Sequence, residues 1–519
     1  EDTAVNTLVA QSRGEYLEAI GTSDGKTFVV FWANVGAPTN YELRVQLLDS
    51  DGTKLFGDNG MLLSDNLPMS SYTVTSTVSI DANDNLYIGA TGTDGGNPAF
   101  AFKIDTDGNK LWGQNGINVG TGNIVTVLPL ASGEAIVSWF GVPEVLMQKY
   151  DATGNAIWSS PKPVVNGGNA TVPANMYELS DGSYVMVFHS VLSAIYSNLF
   201  AQRFDANGDP IWTSPVQLSD KTTTFNSFYS GAQDGDVIYY GYMASSGTRF
   251  DSFLQRIDSD GSLPWGINGM DFDTNETNYE MYTQIASEPG SQYVWSICSY
   301  TDASQSNHGE YIQKFNKDTG ARQFTDTAKE LYAIGSEIVH SGKLQLINDQ
   351  PLFLLKSGMD NGASPVTLHA VKLDAQGDFA WPEETLPVAT FAANKSRIHF
   401  TKPVTGQSVA VFVEQKASDT EPKIYAQNLT DPDLSTTTFA SAKNKISYSN
   451  PIQNFLVIHS SNNPKSIEIF DITGRKIFAE TIFQTRKIEI NSSSWNAGIY
   501  MVEFTDENGG VQNFKIIKR

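Results

Sequence analysis

The chain has 519 residues, of which 18% are charged, and its formal net charge is −23. It is too long for one ordinary hydrophobic core, so we expect several domains or a repeat array. An acidic chain repels phosphate backbones, which argues against nucleic-acid binding, and without a run of 18 apolar residues no membrane span is predicted.

The chain begins Glu1-Asp2-Thr3 without a signal peptide, so we expect that a leader has been removed. Glycine is abundant and strand-forming residues are frequent, which favours an all-β fold. The single cysteine, Cys298, lies in the apolar run 294–298. It can form no internal disulfide, and we expect it to be a small buried side chain.

A unit of the form Gln-x-apolar-Asp-x-x-Gly-x-x-apolar-Trp recurs in residues 1–440, most clearly from Gln148, Gln202 and Gln255. The unit occurs eight times, and neighbouring copies are 46 to 58 residues apart. The positions equivalent to its Asp are Asp49, Asp105, Asp151, Asp205, Asp258, Asn316, Asp374 and Thr430. A period of this size with strand-like content predicts the blades of a β-propeller. We predict eight blades, or seven if the degenerate unit at Gln427 is a linker.

A second apolar strand precedes each unit, at 28–32, 86–90, 135–140, 184–188, 237–242, 293–298, 352–355 and 409–413. The Asp and Gly of the unit are typical of a turn. The aromatic residue that ends each unit is expected to fill the seam between neighbouring blades. These residues are Phe56, Trp112, Trp158, Trp212, Trp265, Phe324 and Trp381.

The N-terminal segment 4–10 resembles the outermost strand of the other repeats, whereas the last repeat lacks its Trp strand. We therefore predict that the first residues complete the last blade. Joining the two ends in this way would remove exposed sheet edges.

The segment Asp151-Ala-Thr-Gly-Asn-Ala-Ile-Trp158 resembles the tryptophan-docking repeat of quinoprotein β-propellers. The resemblance covers the repeat core only. In the quinone enzymes adjacent cysteines lie beside the cofactor, and this chain has one cysteine in total, so no cofactor is expected.

Candidate metal ligands are few. The Asp-x-Asp-Gly segments at 49–52, 105–108 and 258–261 fit turns better than calcium loops, because the closing glutamate of a hand-type loop is absent. Asp271 and Asp273, in the acidic run 271–276, are weak calcium candidates. The six histidines include no zinc-type local pair.

Two aromatic clusters precede inner strands and are the best indication of a binding surface. They contain Phe228, Tyr229, Tyr279 and Tyr282. Exposed rings beside polar groups can stack on sugar faces, although packing between blades would also explain them.

The final stretch has an Asn-Pro at 450–451, Asp-x-x-Gly-Arg at 471–475, Gly-x-Tyr-x-Val at 498–502 and a basic end. This order of motifs resembles the C-terminal sorting domain of the type IX secretion system of Bacteroidota. Its period-2 alternation predicts short strands, and seven of them would make a small β-sandwich over 441–519. The resemblance implies a sorting signal that includes Gly474, Arg475, Gly498, Tyr500, Lys515 and Lys518.

The charge is unevenly spread, since 441–519 carries +3 and 1–440 carries −26. We expect a monomeric protein, secreted or on the outer-membrane surface of a Gram-negative bacterium, whose C-terminal domain engages the type IX machinery.

The first hypothesis for the function of residues 1–440 is a non-catalytic module that binds a glycan or a protein. The alternatives are a polysaccharide hydrolase or lyase with its pocket at the propeller axis, and a structural surface protein. No G-x-S-x-G, H-E-x-x-H or P-loop is present, and carboxylates assembled from different blades are left open.

Overall fold

The computed structural model describes residues 2–11, 13–36, 40–64, 67, 76–193, 196–224, 229–246, 249–357, 365–416, 419–430, 447–460, 463–481, 485–506 and 511–519. The chain divides into two compact units, Glu1–Leu434 and Ser435–Arg519. Regular structure in the described ranges consists of strands alone, so the prediction of an all-β protein is confirmed. None of these residues forms a helix that could cross a membrane.

The first half of the first unit contains eighteen strands. They are β1 (Thr7–Ala10), β2 (Arg13–Gly21), β3 (Thr27–Gly36), β4 (Asn40–Leu48), β5 (Met61–Leu62), β6 (Thr77–Ile80), β7 (Leu86–Thr91), β8 (Pro98–Ile104), β9 (Ile117–Thr121), β10 (Asn123–Pro129), β11 (Ala135–Phe140), β12 (Val145–Tyr150), β13 (Lys162–Val164), β14 (Thr171–Glu178), β15 (Tyr184–Val191), β16 (Tyr196–Phe204), β17 (Val216–Gln217) and β18 (Thr223–Thr224).

The second half continues the same pattern. Its strands are β19 (Ser230–Asp234), β20 (Val237–Ser246), β21 (Arg249–Ile257), β22 (Met270–Asp271), β23 (Tyr279–Ala286), β24 (Tyr293–Thr301), β25 (His308–Asn316), β26 (Lys329–Tyr332), β27 (Ile338–Ile347), β28 (Gln350–Ser357), β29 (Val366–Lys372), β30 (Leu386–Phe400), β31 (Gln407–Gln415) and β32 (Lys423–Thr430).

Most of these strands pair in antiparallel groups of four that follow the sequence repeats. The groups are β2–β5, β6–β9, β10–β13, β14–β17, β19–β22 and β23–β26, with β18 as an additional partner of β16. The remaining strands form one seven-stranded path, β1-β32-β31-β30-β29-β28-β27. The long β30 joins its two halves, because Leu386–Ala393 pairs with β29 and Asn394–Phe400 pairs with β31.

The N-terminal strand β1 pairs antiparallel with β32, and Thr7 lies opposite Ala426. Its Val9 and Ala10 are fully buried in a core that also contains Val29 of β3 and Val411 of β31. Strands from the two ends of the first unit therefore share one apolar core.

Other cores likewise join successive groups of strands. One contains Phe28 and Ile88, from β3 and β7, and another contains Val187 and Tyr240, from β15 and β20. The second strand of each group is largely buried: all residues of β7 are buried, for example. The eight apolar runs seen in the sequence all lie within these second strands.

The aromatic residue of each repeat lies against the glycine of the next. A Cβ added to Gly154 would be 3.0 Å from Trp112 Cδ1, and one added to Gly208 would be 2.6 Å from Trp158. The five repeat tryptophans are all buried, at 3 to 9% exposure. Glycine is required at these turns both by its positive φ and by the ring that covers it.

The repeated glutamine has a structural role that sequence reasoning did not assign. Gln148 Nε2 donates to the Trp158 carbonyl at 3.2 Å, and Gln202 Nε2 donates to the Trp212 carbonyl at 3.1 Å. Both glutamines are buried, so each side chain satisfies a backbone group that water does not reach. The glutamine therefore holds the aromatic segment of its own repeat in place.

The second unit has seven strands in two antiparallel sheets, β33-β34-β37 and β36-β35-β38-β39. They are β33 (Ser447–Tyr448), β34 (Phe455–His459), β35 (Pro464–Asp471), β36 (Lys476–Thr481), β37 (Lys487–Asn491), β38 (Gly498–Asp506) and β39 (Val511–Lys518). One apolar core contains residues of both sheets, among them Ile458, Ile469 and Val502.

Candidate functional site

A cavity of about 800 Å³ opens among the first strands of several groups in the first unit. Its wall contains residues of β2, β14, β19, β23, β27 and the second half of β30, or of the turns that follow them. Because residues between 16 and 402 meet at one space, the cavity wall is assembled from distant parts of the sequence. We call this space the central cavity.

The wall of the central cavity is mixed in character. It presents amides and hydroxyls, two tyrosine rings, three basic side chains and two carboxylates. The residues that carry these groups are Tyr16, Glu18, Asn175, Tyr229, Ser230, Gln233, Gln284, Ser287, Glu288, Lys343, Gln345, Arg397, His399 and Lys402. Such a lining can bond to hydroxyls and stack on the face of a ring, as binding of a polar organic ligand requires.

Both cavity carboxylates already have partners in the protein. The Tyr16 hydroxyl donates to Glu18 Oε1 at 2.7 Å, and Glu18 Oε2 lies 3.7 Å from His399 Nδ1. Glu288 Oε2 accepts a hydrogen bond from the Asp349 backbone N–H at 2.8 Å. These contacts fix the orientation of both acidic groups.

Burial lowers the pKa of His399, and the attraction to Glu18 only partly offsets that effect. The imidazole is therefore mostly neutral at pH 7, in which state one ring nitrogen can accept a proton. Tyr16, Glu18 and His399 thus form a group that can hold or move a proton at the cavity wall.

The structure places the predicted aromatic residues in different surroundings. Tyr229 lines the central cavity, where its hydroxyl donates to the Thr224 carbonyl at 2.6 Å and its ring stacks 6.1 Å from that of Tyr240. Phe228 lies outside the described residues. Tyr279 and Tyr282 lie on β23 but are absent from the cavity wall, and Tyr282 is 40% exposed. The tyrosine Tyr16, which sequence reasoning missed, lines the cavity instead.

The two calcium candidates are brought together. Oxygens of Asp271, Asp273 and Glu280 lie within 4.8 Å of one another, and we call these three residues the acidic cluster. Asp273 accepts a hydrogen bond from the Tyr300 hydroxyl, and Glu280 Oε2 accepts one from the Ser252 backbone N–H at 2.8 Å. Sequence reasoning missed Glu280, which comes from a different strand.

Burial and neighbouring carboxylates disfavour full ionisation of the acidic cluster. Burial, followed by the charge of Asp251, raises the pKa of Asp271 to about 6. Burial raises the pKa of Glu280 well above its usual value, and the charge of Asp273 adds to this effect. The cluster can be stabilised either by retained protons or by a cation. The calcium ion suggested by the sequence stays a prediction.

The three Asp-x-Asp-Gly segments at 49–52, 105–108 and 258–261 form turns. Asp105 Oδ1 accepts hydrogen bonds from the Asp107 and Asn109 backbone N–H groups at 3.0 and 2.8 Å. In the other two segments the second carboxylate has this role, because Asp51 Oδ1 accepts from the Thr53 N–H at 2.8 Å and Asp260 Oδ1 accepts from the Ser262 N–H at 2.9 Å. A carboxylate of each segment is therefore used to close its turn.

A buried polar group of Ser299, Glu310 and His340 superficially resembles a catalytic triad. Glu310 Oε1 and the Ser299 hydroxyl both approach His340 Nδ1, at 2.7 and 3.3 Å. A triad histidine uses one ring nitrogen for the acid and the other for the nucleophile. This arrangement therefore links β24, β25 and β27 without forming a proton relay.

Cys298 is fully buried, and its thiol contacts the Met281 carbonyl at 3.3 Å. Burial, with nearby Glu280, raises the pKa of the thiol well above its usual value. An inaccessible protonated thiol is a poor nucleophile.

In the second unit, the residues of the expected sorting signal differ in exposure. Gly474 and Arg475 lie on an exposed turn where Asp471 accepts a hydrogen bond from the Arg475 backbone. Lys515 is exposed on β39. Tyr500 is only 7% exposed, within the apolar core, and Lys518 is 9% exposed.

Residues 447–519 match the family model described as the secretion system C-terminal sorting domain. The C-terminal unit is a type IX sorting domain. The expectation from its motifs is thereby confirmed, and the domain implies export to the outside of a Bacteroidota-type Gram-negative cell. No curated protein matches the chain.

Several solved structures, among them one β-propeller domain, resemble the chain at low identity. An ulvan lyase from a new polysaccharide lyase family is 12% identical, covers 98% of this chain and 95% of its own, and has a TM-score of 0.33. The β-propeller domain of the Trilobed protease from Pyrococcus furiosus is 11% identical over 68% of this chain and 97% of its own, with a TM-score of 0.37. A puromycin hydrolase is 13% identical over 81% of this chain, with a TM-score of 0.39, and the alignment spans 61% of the hydrolase. A likeness at this level says nothing about activity.

Proposed function

We propose that residues 1–440 form a closed eight-bladed β-propeller that acts outside the cell as a non-catalytic binding module for a glycan or protein ligand. The seven-bladed alternative would require one group of strands to be a linker. Support for closure comes from the pairing of β1 with β32 and from the core that joins β1, β3 and β31. Residues 441–519, with their two sheets around one core, are proposed as a small β-sandwich.

The central cavity is the observation that carries the proposed binding function. It has the size of a small-molecule or oligosaccharide site, and its polar groups come from many strands of a rigid framework. Its two carboxylates are held by protein groups, and neither is placed opposite a second unbonded acid of the wall. This favours recognition over hydrolysis, which would need a paired acid and base.

The second candidate function is a polysaccharide lyase, and one observation favours it. Tyr16, Glu18 and His399 can hold and move a proton, and Arg397 lies with its guanidinium carbon 4.9 Å from the Tyr16 ring centre. In β-elimination a base removes a proton next to a carboxylate, a nearby cation stabilises the resulting negative charge, and an acid protonates the leaving oxygen. The cavity offers a group for each of these tasks.

A glycan array probed with the full-length protein tests the proposed function. Ser287 lines the central cavity, so Ser287→Trp should abolish binding by filling it, whereas Ser50→Trp at an exposed turn should leave binding unchanged. Equal binding by wild type and Ser287→Trp would place the ligand elsewhere. If the wild type cleaves a bound glycan and His399→Gln does not, the protein acts as a lyase and the non-catalytic proposal is wrong.

A further inference from the structure

We infer that the ligand of the central cavity is an acidic glycan, whose carboxylate or sulfate groups are bound by Lys343, Arg397 and Lys402. This inference rests on the proposed binding function and specifies its ligand class. It starts from a contrast in charge. The chain has 57 acidic and 34 basic residues, yet the cavity wall presents three lysine or arginine side chains against two carboxylates.

The two carboxylates do not neutralise these cations. Glu18 accepts a hydrogen bond from the Tyr16 hydroxyl and lies near His399, and Glu288 accepts one from the Asp349 backbone N–H. Other groups therefore orient both carboxylates, and three cations against two carboxylates leave the wall with an excess of positive charge.

The three cations are exposed and form no ion pair within the described part of the chain. Arg397 contacts the ring of Tyr16, which leaves its N–H groups available to an acceptor. Elsewhere, lysines of the same chain find carboxylates readily: Lys162 and Lys329 each lie 2.6 Å from an aspartate. In so acidic a protein, three neighbouring cations without acidic partners indicate a site for an external anion.

The fold places Lys343 and Arg397 in the wall through irregularities of the first strands, whereas Lys402 follows the end of β30. The register of β27 shifts between Ser341 and Gln345, and the register of β30 shifts between Ser396 and His399. Bulges of this kind turn a side chain away from the regular alternation of a strand. Three of these strands have a residue with positive φ at the same place in the register shift. These residues are Ile124 in β10, Tyr282 in β23 and Arg397 in β30. The bulge therefore recurs, and the sequence supplies a cation in the β30 copy.

The neighbouring groups favour a sugar over an acidic peptide. Asn175 Oδ1 accepts from the Tyr240 hydroxyl and Gln345 Nε2 donates to the Phe400 carbonyl, which leaves the Asn175 amide N–H groups and the Gln345 amide oxygen for a ligand. Gln284 also lines the wall, and Tyr16 offers a ring, so the wall suits the hydroxyls and the ring face of a sugar. A uronate or sulfated sugar uses both kinds of group at once.

The test measures binding of the full-length protein to matched charged and neutral polymers. The probes are dextran sulfate against dextran, polygalacturonate against its methyl ester, and poly-aspartate as an acidic peptide. We expect binding to at least one acidic glycan, little binding to its neutral partner, and weakening by salt. Lys343→Gln and Lys402→Gln should each weaken binding about tenfold, because a hydrogen bond to a charged group is lost. Lys343→Arg should retain most of the affinity.

The matched control is Lys423→Gln, which removes a lysine of β32 that is absent from the cavity wall. An equal loss of affinity in this control would show a general charge effect and overturn the inference. Tighter binding of poly-aspartate than of any acidic glycan would also overturn it. Binding to neutral glycans without preference for acidic ones would overturn the inference but keep the proposed function. Binding to none of the glycans would overturn the inference and restrict the proposed function to a protein ligand.

Discussion

At the scale of single residues, the contact between a tryptophan and the next repeat's glycine sets a strict limit on substitution. Gly208 has φ of 77°, and an added Cβ would lie 2.6 Å from Trp158. Gly208→Ala should therefore lower the free energy of unfolding by about 2–4 kcal/mol, from backbone strain and overpacking together. Chemical denaturation followed by tryptophan fluorescence measures this change.

The control separates backbone strain from the clash. Gly182 has φ of 79°, but an added Cβ would have nothing within 4 Å. Gly182→Ala should cost only about 1–2 kcal/mol, the strain contribution alone. Equal losses in the two variants would contradict the proposed role of the tryptophan contact.

The acidic cluster predicts a pH dependence of stability. The pKa of Asp271 is raised to about 6 by burial and by Asp251, and the value in the unfolded chain is about 3.9. The unfolded chain loses this proton first, so the free energy of unfolding falls as pH rises from about 4 to about 6. Asp271→Asn should remove this penalty and stabilise the protein at pH 7 by on the order of 1 kcal/mol, with little effect at pH 4. The charged groups that act on Asp271 are Asp251, Asp273, Glu280, Arg322 and Lys221.

Thermal melts at pH 4 and pH 7 check this prediction, with the exposed Asp107→Asn as a control. Melts at pH 7 with and without calcium separate the two ways of stabilising the acidic cluster. A wild-type protein that gains stability from calcium, when Asp271→Asn does not, would favour the calcium site over retained protons.

Residues of the candidate sites could be predicted from the sequence only where they are close in the chain. Asp271 and Asp273 belong to one acidic run and were found, whereas Glu280 joins them through the pairing of strands. Arg397 and Lys343 were missed because a bulge decides which way each side chain points, and a period-2 pattern contains no information about bulges.

At the scale of elements, the second half of β30, β31 and the residue before β1 meet at a buried ion pair. Lys395 Nζ lies 2.8 Å from Glu414 Oε2, both side chains are 0% exposed, and Asn6 Nδ2 donates to both Glu414 oxygens at 3.1 Å. Lys395→Met should cost about 3–5 kcal/mol, because it leaves the buried carboxylate with only the more distant Lys416, 3.6 Å from Glu414 Oε1.

The double variant Lys395→Met with Glu414→Met should be more stable than Lys395→Met alone, because both charges are then absent. Denaturant titrations of the two single variants and the double variant measure the coupling. Additive losses would show that the pair has no mutual dependence.

The repeat allowed the strand elements to be predicted well, because each copy supports the others. The apolar run 352–355 lies within β28, for example, and the segment predicted at 4–10 contains β1. The double membership of β30 was not predictable, since no turn signal separates its halves in the sequence and only pairing with β29 and β31 shows the division.

At the scale of the whole molecule, the sorting domain predicts the destination of the protein. Deleting 447–519 should retain the chain inside a type IX-secreting cell, and fusing this segment to a passenger that already reaches the periplasm should carry that passenger to the surface. Protease accessibility on intact cells measures both outcomes. Surface exposure of the deleted form would show that another segment carries the export signal.

At the same scale, we expect the N-terminal strand β1 to close the first unit. Val9 of β1 is 0% exposed in the core shared with β3 and β31, whereas Val5 is 67% exposed just before the strand. Val9→Asp places a carboxylate in an apolar core, so the unfolding free energy should fall by more than about 3 kcal/mol. Detachment of β1 would also expose the edge of β32, which should promote aggregation. Val5→Asp should change stability by less than about 0.5 kcal/mol.

If β1 closes a single cooperative ring, Val9→Asp will lower the midpoint temperature of one unfolding transition for the entire first unit. A melt in which only a small local transition shifts would instead mean that the last strands unfold separately and that the ring does not depend on its N-terminal strand.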